Sequence, residues 1–76
     1  MNAPDQLTLT QFIALAFRPS VAYNKNVGSY FLKHRWEEYS KTYAGTNEEF
    51  IELLRVLGYE VSKKTERMKL RYFGLQ

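Results

Sequence analysis

Apolar residues recur at helical spacing near the start of the chain. A Thr8-x-x-Gln11 motif has the form of a capping box, in which a threonine and a glutamine side chain bond to each other's backbone amides. Pro19 disfavours continuation of a helix past the residue before it. The pattern therefore predicts a first helix over Leu9–Phe17, with a buried face made of Phe12, Ile13, Ala16 and Phe17.

A second helical pattern begins after a stretch of turn-forming residues. The segment Arg18–Gly28 alternates turn formers with small apolar residues, which predicts a loop. Ser29 is a favourable N-cap residue, so we expect a second helix from there to about Thr42. One stripe of this helix consists of Leu32, Trp36, Tyr39 and Tyr43, and we expect it to face the core.

The third helix has clear signals at both ends. Thr46 and Glu49 form a second capping-box motif, and Gly58 stands where a left-handed C-cap residue is expected. Between them, helical spacing predicts a buried face made of Phe50, Ile51, Leu54 and Leu57.

The period changes from helical to alternating after Gly58. Tyr59 and Val61, and then Met68, Leu70 and Tyr72, alternate with polar or charged neighbours, as in half-buried strands. The polar segment Lys63–Glu66 lies between the two runs. We predict a β-hairpin over residues 60–74, and the alternative is a helix over residues 66–73.

These elements predict one α+β domain over residues 1–76: three short helices followed by a C-terminal β-hairpin, in a winged-helix-like order. The chain has 76 residues, and a core of that size must be used efficiently. Six tyrosines, five phenylalanines and one tryptophan supply large apolar surfaces for it. Residues 1–6 are polar, contain Pro4 and show no periodicity, so we expect them to be disordered.

Charge adds a clue about the kind of partner. The net charge is +3 at pH 7. Residues 61–76 contain five cations against Glu66, whereas residues 47–60 contain four glutamates against Arg55. A clustered positive charge of this kind favours binding to nucleic acid or to an acidic protein surface.

The acidic helix limits how nucleic acid could be bound. A recognition helix presents its first residues to the base edges, and here those residues are Asn47, Glu48 and Glu49. Since carboxylates are repelled by phosphates, we predict contacts to the DNA backbone and not insertion into the major groove. The predicted nucleic-acid-binding residues are Lys63, Lys64, Arg67, Lys69 and Arg71 of the hairpin, supported by Lys33 and Arg35 of the second helix.

Other interpretations of these cations stay open. Lysine and arginine on an edge hairpin can simply increase solubility and prevent aggregation. The acidic third helix could instead bind a host protein, as an inhibitor or adaptor, or the basic hairpin of a second copy in a homodimer.

The residue types present give little support for catalysis. The sequence lacks cysteine and has His34 as its one histidine, and its four glycines are isolated, without a phosphate-binding loop. We expect a binding protein without enzymatic activity, cofactor or metal. The longest apolar run, Phe12–Phe17, is too short to span a membrane, so we expect a cytoplasmic protein without membrane contact.

The middle of the chain resembles a group of short uncharacterised proteins from bacteriophages and integrative elements. The similar sequence begins with Gly28-Ser-Tyr-x-Leu-Lys-His34, continues with Thr46-Asn-x-Glu-Phe-Ile51 and ends with Leu57-Gly-Tyr59. This resemblance implies an accessory protein of a mobile element and no particular reaction. Glu48 departs from it, because glycine is common at that position.

The resemblance also implies that the second and third helices pack as a hairpin. Ser29, Lys33, His34 and Asn47 would then form a small polar cluster. Such a cluster could bind a phosphate or an acidic side chain, or it could be a capping network satisfied within the protein.

Overall fold

The computed structural model describes residues 7–74, and these form three helices and a two-stranded antiparallel sheet. The elements are α1 (Leu9–Ala16), β1 (Phe17–Gly28), α2 (Ser29–Ser40), α3 (Asn47–Val56) and β2 (Arg67–Tyr72). The predicted α+β class is confirmed. The prediction of disorder for residues 1–6 lies outside the described residues.

Both predicted capping boxes are present. The amide of Gln11 donates to Thr8 Oγ1 at 3.2 Å, and the amide of Glu49 donates to Thr46 Oγ1 at 3.1 Å. Such caps satisfy amides that the first helical turn leaves without a partner. The second helix differs from the prediction, because Gly28 occupies its N-cap position and Ser29 is its first residue.

The sheet corrects the predicted C-terminal hairpin. The main partner of β2 is β1, the segment predicted to be a loop, with Phe17 opposite Tyr72 and Pro19 opposite Leu70. The segment after α3 contributes a single antiparallel bridge between Val61 and Met68. The alternative helix over residues 66–73 is also wrong, because β2 occupies most of that range.

Two irregularities in β1 explain why its sequence does not look like a strand. The paired positions jump from Pro19 opposite Leu70 to Asn24 opposite Met68, and then to Gly28 opposite Arg67. More residues of β1 than of β2 therefore lie between successive pairs, as in an enlarged β-bulge. These extra residues interrupt the alternation of inward and outward side chains.

The core lies between the helices and the inner face of the sheet. Its residues are Leu9, Phe12, Ile13, Ala16, Phe17, Val27, Leu32, Phe50, Ile51, Leu54, Val61, Met68 and Leu70. Trp36 and Tyr39 pack against it, with Trp36 5.4 Å from Phe12 between ring centroids. Two predicted core residues are wrong. Tyr43 is 72% exposed because α2 ends at Ser40, and Leu57 is 42% exposed at the C-cap of α3.

Candidate nucleic-acid interface

The outer face of the sheet collects cations from both strands. Along β2, Met68 and Leu70 are buried, and the residues that alternate with them point away from the core. Arg18 of β1 lies directly opposite Arg71. We call this surface the outer sheet face, and its cations are Arg18, Arg67, Lys69 and Arg71.

Arg18 and Arg71 share an aromatic neighbour at one end of the outer sheet face. Their guanidinium carbons lie 5.2 Å and 5.5 Å from the centroid of the Phe73 ring, which is within range of a cation–π interaction. Arg18 Nη1 also donates to the carbonyl oxygens of Ala14 and Leu15 at the end of α1, both at 3.1 Å. Helix C-termini favour cations, so Arg18 is firmly positioned.

A second aromatic residue, Tyr23, lies beside Lys69. The Tyr23 hydroxyl donates to Glu60 Oε2 at 2.9 Å, and Lys69 Nζ lies 3.3 Å from Glu60 Oε1 and 5.1 Å from the Tyr23 ring centroid. The hydrogen bond from Tyr23, followed by the contact with Lys69, lowers the pKa of Glu60. The same hydrogen bond raises the pKa of Tyr23. Glu60 thus holds both neighbours in place while staying ionised.

Lys63 and Lys64 lie in the turn that leads into β2. The Ser62 amide donates to the Arg67 carbonyl oxygen at 2.9 Å, and the Glu66 amide donates to the Ser62 carbonyl oxygen at 2.9 Å. These bonds close a short turn whose two lysines are exposed. Lys63 borders an open groove of about 540 Å³ beside the outer sheet face, lined also by Tyr23, Arg55, Gly58, Tyr59, Glu60 and Val61.

The acidic residues of α3 are close to this turn. Glu48 and Glu52 line a second open groove together with Lys63 and Glu66. Acidic and basic residues are therefore less separated on the surface of the folded protein than they are along the sequence. The outer sheet face keeps a clear positive excess, whereas Lys63 borders both environments.

Lys33 and Arg35, the predicted supporting cations, are engaged elsewhere on α2. Lys33 is 7% exposed, and its Nζ lies 3.0 Å from Glu37 Oε2. Arg35 Nη2 lies 3.4 Å from Glu38 Oε2, and its guanidinium carbon is 5.3 Å from the Phe31 ring centroid. Neither residue extends the outer sheet face, because both side chains are held against α2 and its neighbours.

The predicted polar cluster is assembled in part. Ser29 Oγ lies 3.1 Å from Asn47 Oδ1, and Asn47 Nδ2 donates to Glu66 Oε1 at 3.0 Å. The Ser29 amide donates to the Glu66 carbonyl oxygen at 2.9 Å. Lys33 instead pairs with Glu37, and His34 is exposed with its ring against Tyr30. The contacts form an internal network that joins the starts of α2, α3 and β2.

Arg18, Tyr23 and Phe73 are the residues of this surface that were not among the predicted binding residues. Tyr23 belongs to a segment predicted as a loop, and Phe73 follows the last residue of β2. Their association with cations depends on the pairing of β1 with β2, which joins residues far apart in the chain. The alternation of Arg67, Lys69 and Arg71 was the signal that the sequence did provide.

Within residues 7–74, no helix has the length and apolar character needed to cross a bilayer. The same residues contain no group of three or more histidine, aspartate or glutamate side chains placed to hold a metal ion.

No protein family model matches the chain, and neither curated proteins nor solved structures include a match. The resemblance to bacteriophage and integrative-element proteins therefore stays a prediction.

Proposed function

We propose that this protein binds the phosphate backbone of nucleic acid through its outer sheet face. The observation that carries the proposal is the convergence of Arg18, Arg67, Lys69 and Arg71 from two strands onto one face. Among the described residues, the salt bridge on this face joins Lys69 to Glu60, whereas Arg18, Arg67 and Arg71 form none. Arg67 and Arg71 thus keep their guanidinium groups available for an anionic ligand, and arginine can donate two hydrogen bonds to a phosphate. Arg18 Nη1 already donates to carbonyl oxygens at the end of α1, so Arg18 contributes its charge and its remaining N–H groups.

Lys63 and Lys64 extend the proposed surface as a short wing. Their turn directly precedes β2 and is joined to it by the Val61–Met68 bridge. In a winged-helix mode of binding, a basic wing contacts backbone phosphates. The exposed Glu48 and Glu49 in the first turn of α3 make insertion of that helix into a groove unfavourable, so the wing and the sheet act without it.

The role in the cell that we propose is that of a small accessory protein, as the resemblance to mobile-element proteins implies. Binding without catalysis is the simplest role for this surface. His34 is exposed and contacts the Tyr30 ring at 4.3 Å between centroids.

Fluorescence polarisation with a labelled oligonucleotide tests the proposal. Each phosphate contact contributes about −0.7 to −0.9 to the slope of log affinity against log salt concentration, so the outer sheet face contributes about −3 to −4 and the two wing lysines add to it. The double variant Arg67→Gln, Arg71→Gln should make the slope shallower by about 1.4 to 1.8. A matched control, Arg35→Gln with Lys41→Gln, removes the same charge from α2 and its C-cap and should leave the slope unchanged.

Two results would overturn the proposal. One is the absence of binding to duplex and single-stranded oligonucleotides at about 50 mM salt. The other is an equal loss of affinity in the two double variants, because that would indicate net charge and not a defined surface.

A second candidate function is supported by the exposed side of α3. Leu53, Val56 and Leu57 leave large apolar side chains in solvent near the end of this helix. Exposed apolar groups beside charged residues are typical of protein-binding surfaces. Capture of a host protein that survives nuclease treatment, and is lost in Leu53→Ser with Val56→Ser, would favour this function. Salt-sensitive self-association in sedimentation would favour a homodimer.

A further inference from the structure

Two aromatic rings lie among the cations of the outer sheet face. Phe73 is 52% exposed and Tyr23 is 40% exposed, although both are large rings that folding usually buries. Each ring lies beside a cation of the face, Phe73 beside Arg18 and Arg71, and Tyr23 beside Lys69. Rings and guanidinium planes are both surfaces on which unpaired bases stack.

The Tyr23 ring is held in position before any ligand arrives. Its hydroxyl is fixed by Glu60 at 2.9 Å, and Lys69 lies against the ring. An exposed side chain that is already ordered loses little conformational entropy on binding. Glu60 therefore acts as a support for the ring, which also explains a carboxylate on an otherwise cationic face.

The regular spacing of the cations along β2 suits a nucleic-acid strand in an extended conformation. Arg67, Lys69 and Arg71 are alternate residues of β2, so their Cα atoms recur about every 6.6 Å. An extended nucleic-acid strand that runs along β2 could thus place successive phosphates beside these side chains. A duplex could satisfy the cations, but its bases are stacked on each other and could not reach the rings.

We propose that the outer sheet face binds single-stranded nucleic acid in preference to duplex, with bases stacked on Tyr23 and on the layer formed by Phe73, Arg18 and Arg71. This inference rests on the proposed function, because it specifies the ligand of the same surface. The rings supply affinity that is largely independent of base identity, since every base has a flat π surface.

The test compares labelled oligothymidylate of about 16 nucleotides with a duplex of the same length at one salt concentration. The wild-type protein should bind the single strand at least about tenfold more tightly than the duplex. Tyr23→Leu and Phe73→Leu should each weaken single-strand binding about tenfold, while the salt slope stays close to that of the wild type.

Three control variants separate stacking from folding. Tyr43→Leu removes another exposed tyrosine beside a lysine, with Lys33 Nζ 4.9 Å from its ring centroid, but off the sheet face, and it should change nothing. Tyr23→Phe keeps the ring and loses the bond to Glu60, and Phe73→Tyr keeps a ring. Both should retain most of the binding even if the leucine variants are unstable.

The outcomes distinguish the two proposals. Equal affinity for single strand and duplex, with Tyr23→Leu and Phe73→Leu binding like the wild type, overturns the single-strand inference and leaves backbone binding intact. A loss of binding in Tyr23→Phe and Phe73→Tyr equal to that in the leucine variants also overturns it. Failure to bind either ligand overturns the proposed function itself.

Discussion

At the scale of single residues, the most informative pair is Arg18 and Arg71. Like charges directly opposite each other in an antiparallel sheet lower its stability. Here the two arginines are cross-strand partners and share the Phe73 ring. A phosphate placed between them would relieve the repulsion, so the arrangement is better suited to a bound anion than to the free protein.

The substitution Arg71→Glu should therefore separate stability from binding. A glutamate opposite Arg18 replaces repulsion with attraction, and we expect the free energy of unfolding to rise by about 0.5 kcal/mol. Oligonucleotide affinity should fall in the same variant. Urea unfolding and polarisation titrations measure the two effects, with Lys41→Glu as the control for the same charge change.

The ionisation of Glu37 makes the stability of the fold depend on pH. The amide of Ala44, which donates to Glu37 Oε2 at 2.8 Å, lowers the pKa of this carboxyl, and Lys33 lowers it further. The pKa of Glu37 is thus lower in the folded protein than in the unfolded chain, where it is near 4.5. Ionised Glu37 therefore stabilises the fold at pH values above 4.5, and this stabilisation is lost as the pH falls through the folded-state pKa.

Glu37→Gln should consequently be less stable than the wild type at pH 7, and the difference should shrink as the pH falls below 4.5 and through the lowered folded-state pKa. Urea unfolding at pH 7 and pH 3.5 measures it. A difference that stays constant between these pH values would mean that ionised Glu37 does not stabilise the link between α2 and α3.

At the scale of elements, the helices owe their positions to local signals. The Thr46 cap satisfies amides at the start of α3, and the acidic first turn suits the positive end of the helix dipole. Thr46→Ala should lower the free energy of unfolding by about 1 kcal/mol. Thr46→Ser keeps the hydroxyl and should cost much less in the same denaturant titration; equal losses would contradict the capping role.

Elements set by distant pairing were harder to predict than the helices. The capping boxes at Thr8 and Thr46 lie within a few residues of the helices they start, so the sequence was sufficient to predict them. The strand β1 depends on β2, whose paired residues are 39 to 55 positions away in the chain, and its bulges hide the alternation that identifies a strand. The outward cations of β2 could be predicted because they follow a local alternation. Their association with Arg18, Tyr23 and Phe73 could not, because it depends on the pairing of β1 with β2.

At the scale of the whole molecule, the structure is elongated, about 42 × 26 × 19 Å, with the core against the inner face of the sheet and the cations Arg18, Arg67, Lys69 and Arg71 on its outer face. The network of Ser29, Asn47 and Glu66 joins the starts of α2, α3 and β2. Positive charge is thus concentrated on the outer sheet face, and this surface describes the charge distribution better than the basic and acidic segments of the sequence do.

The most direct test of this account is the salt dependence of oligothymidylate binding by the wild-type protein. The four cations of the outer sheet face predict measurable affinity at about 50 mM salt and a log–log slope of about −3 for a single strand, and contacts from Lys63 and Lys64 make it steeper. Absence of binding under those conditions, or an affinity that does not change with salt, would contradict the assignment of the outer sheet face to nucleic acid.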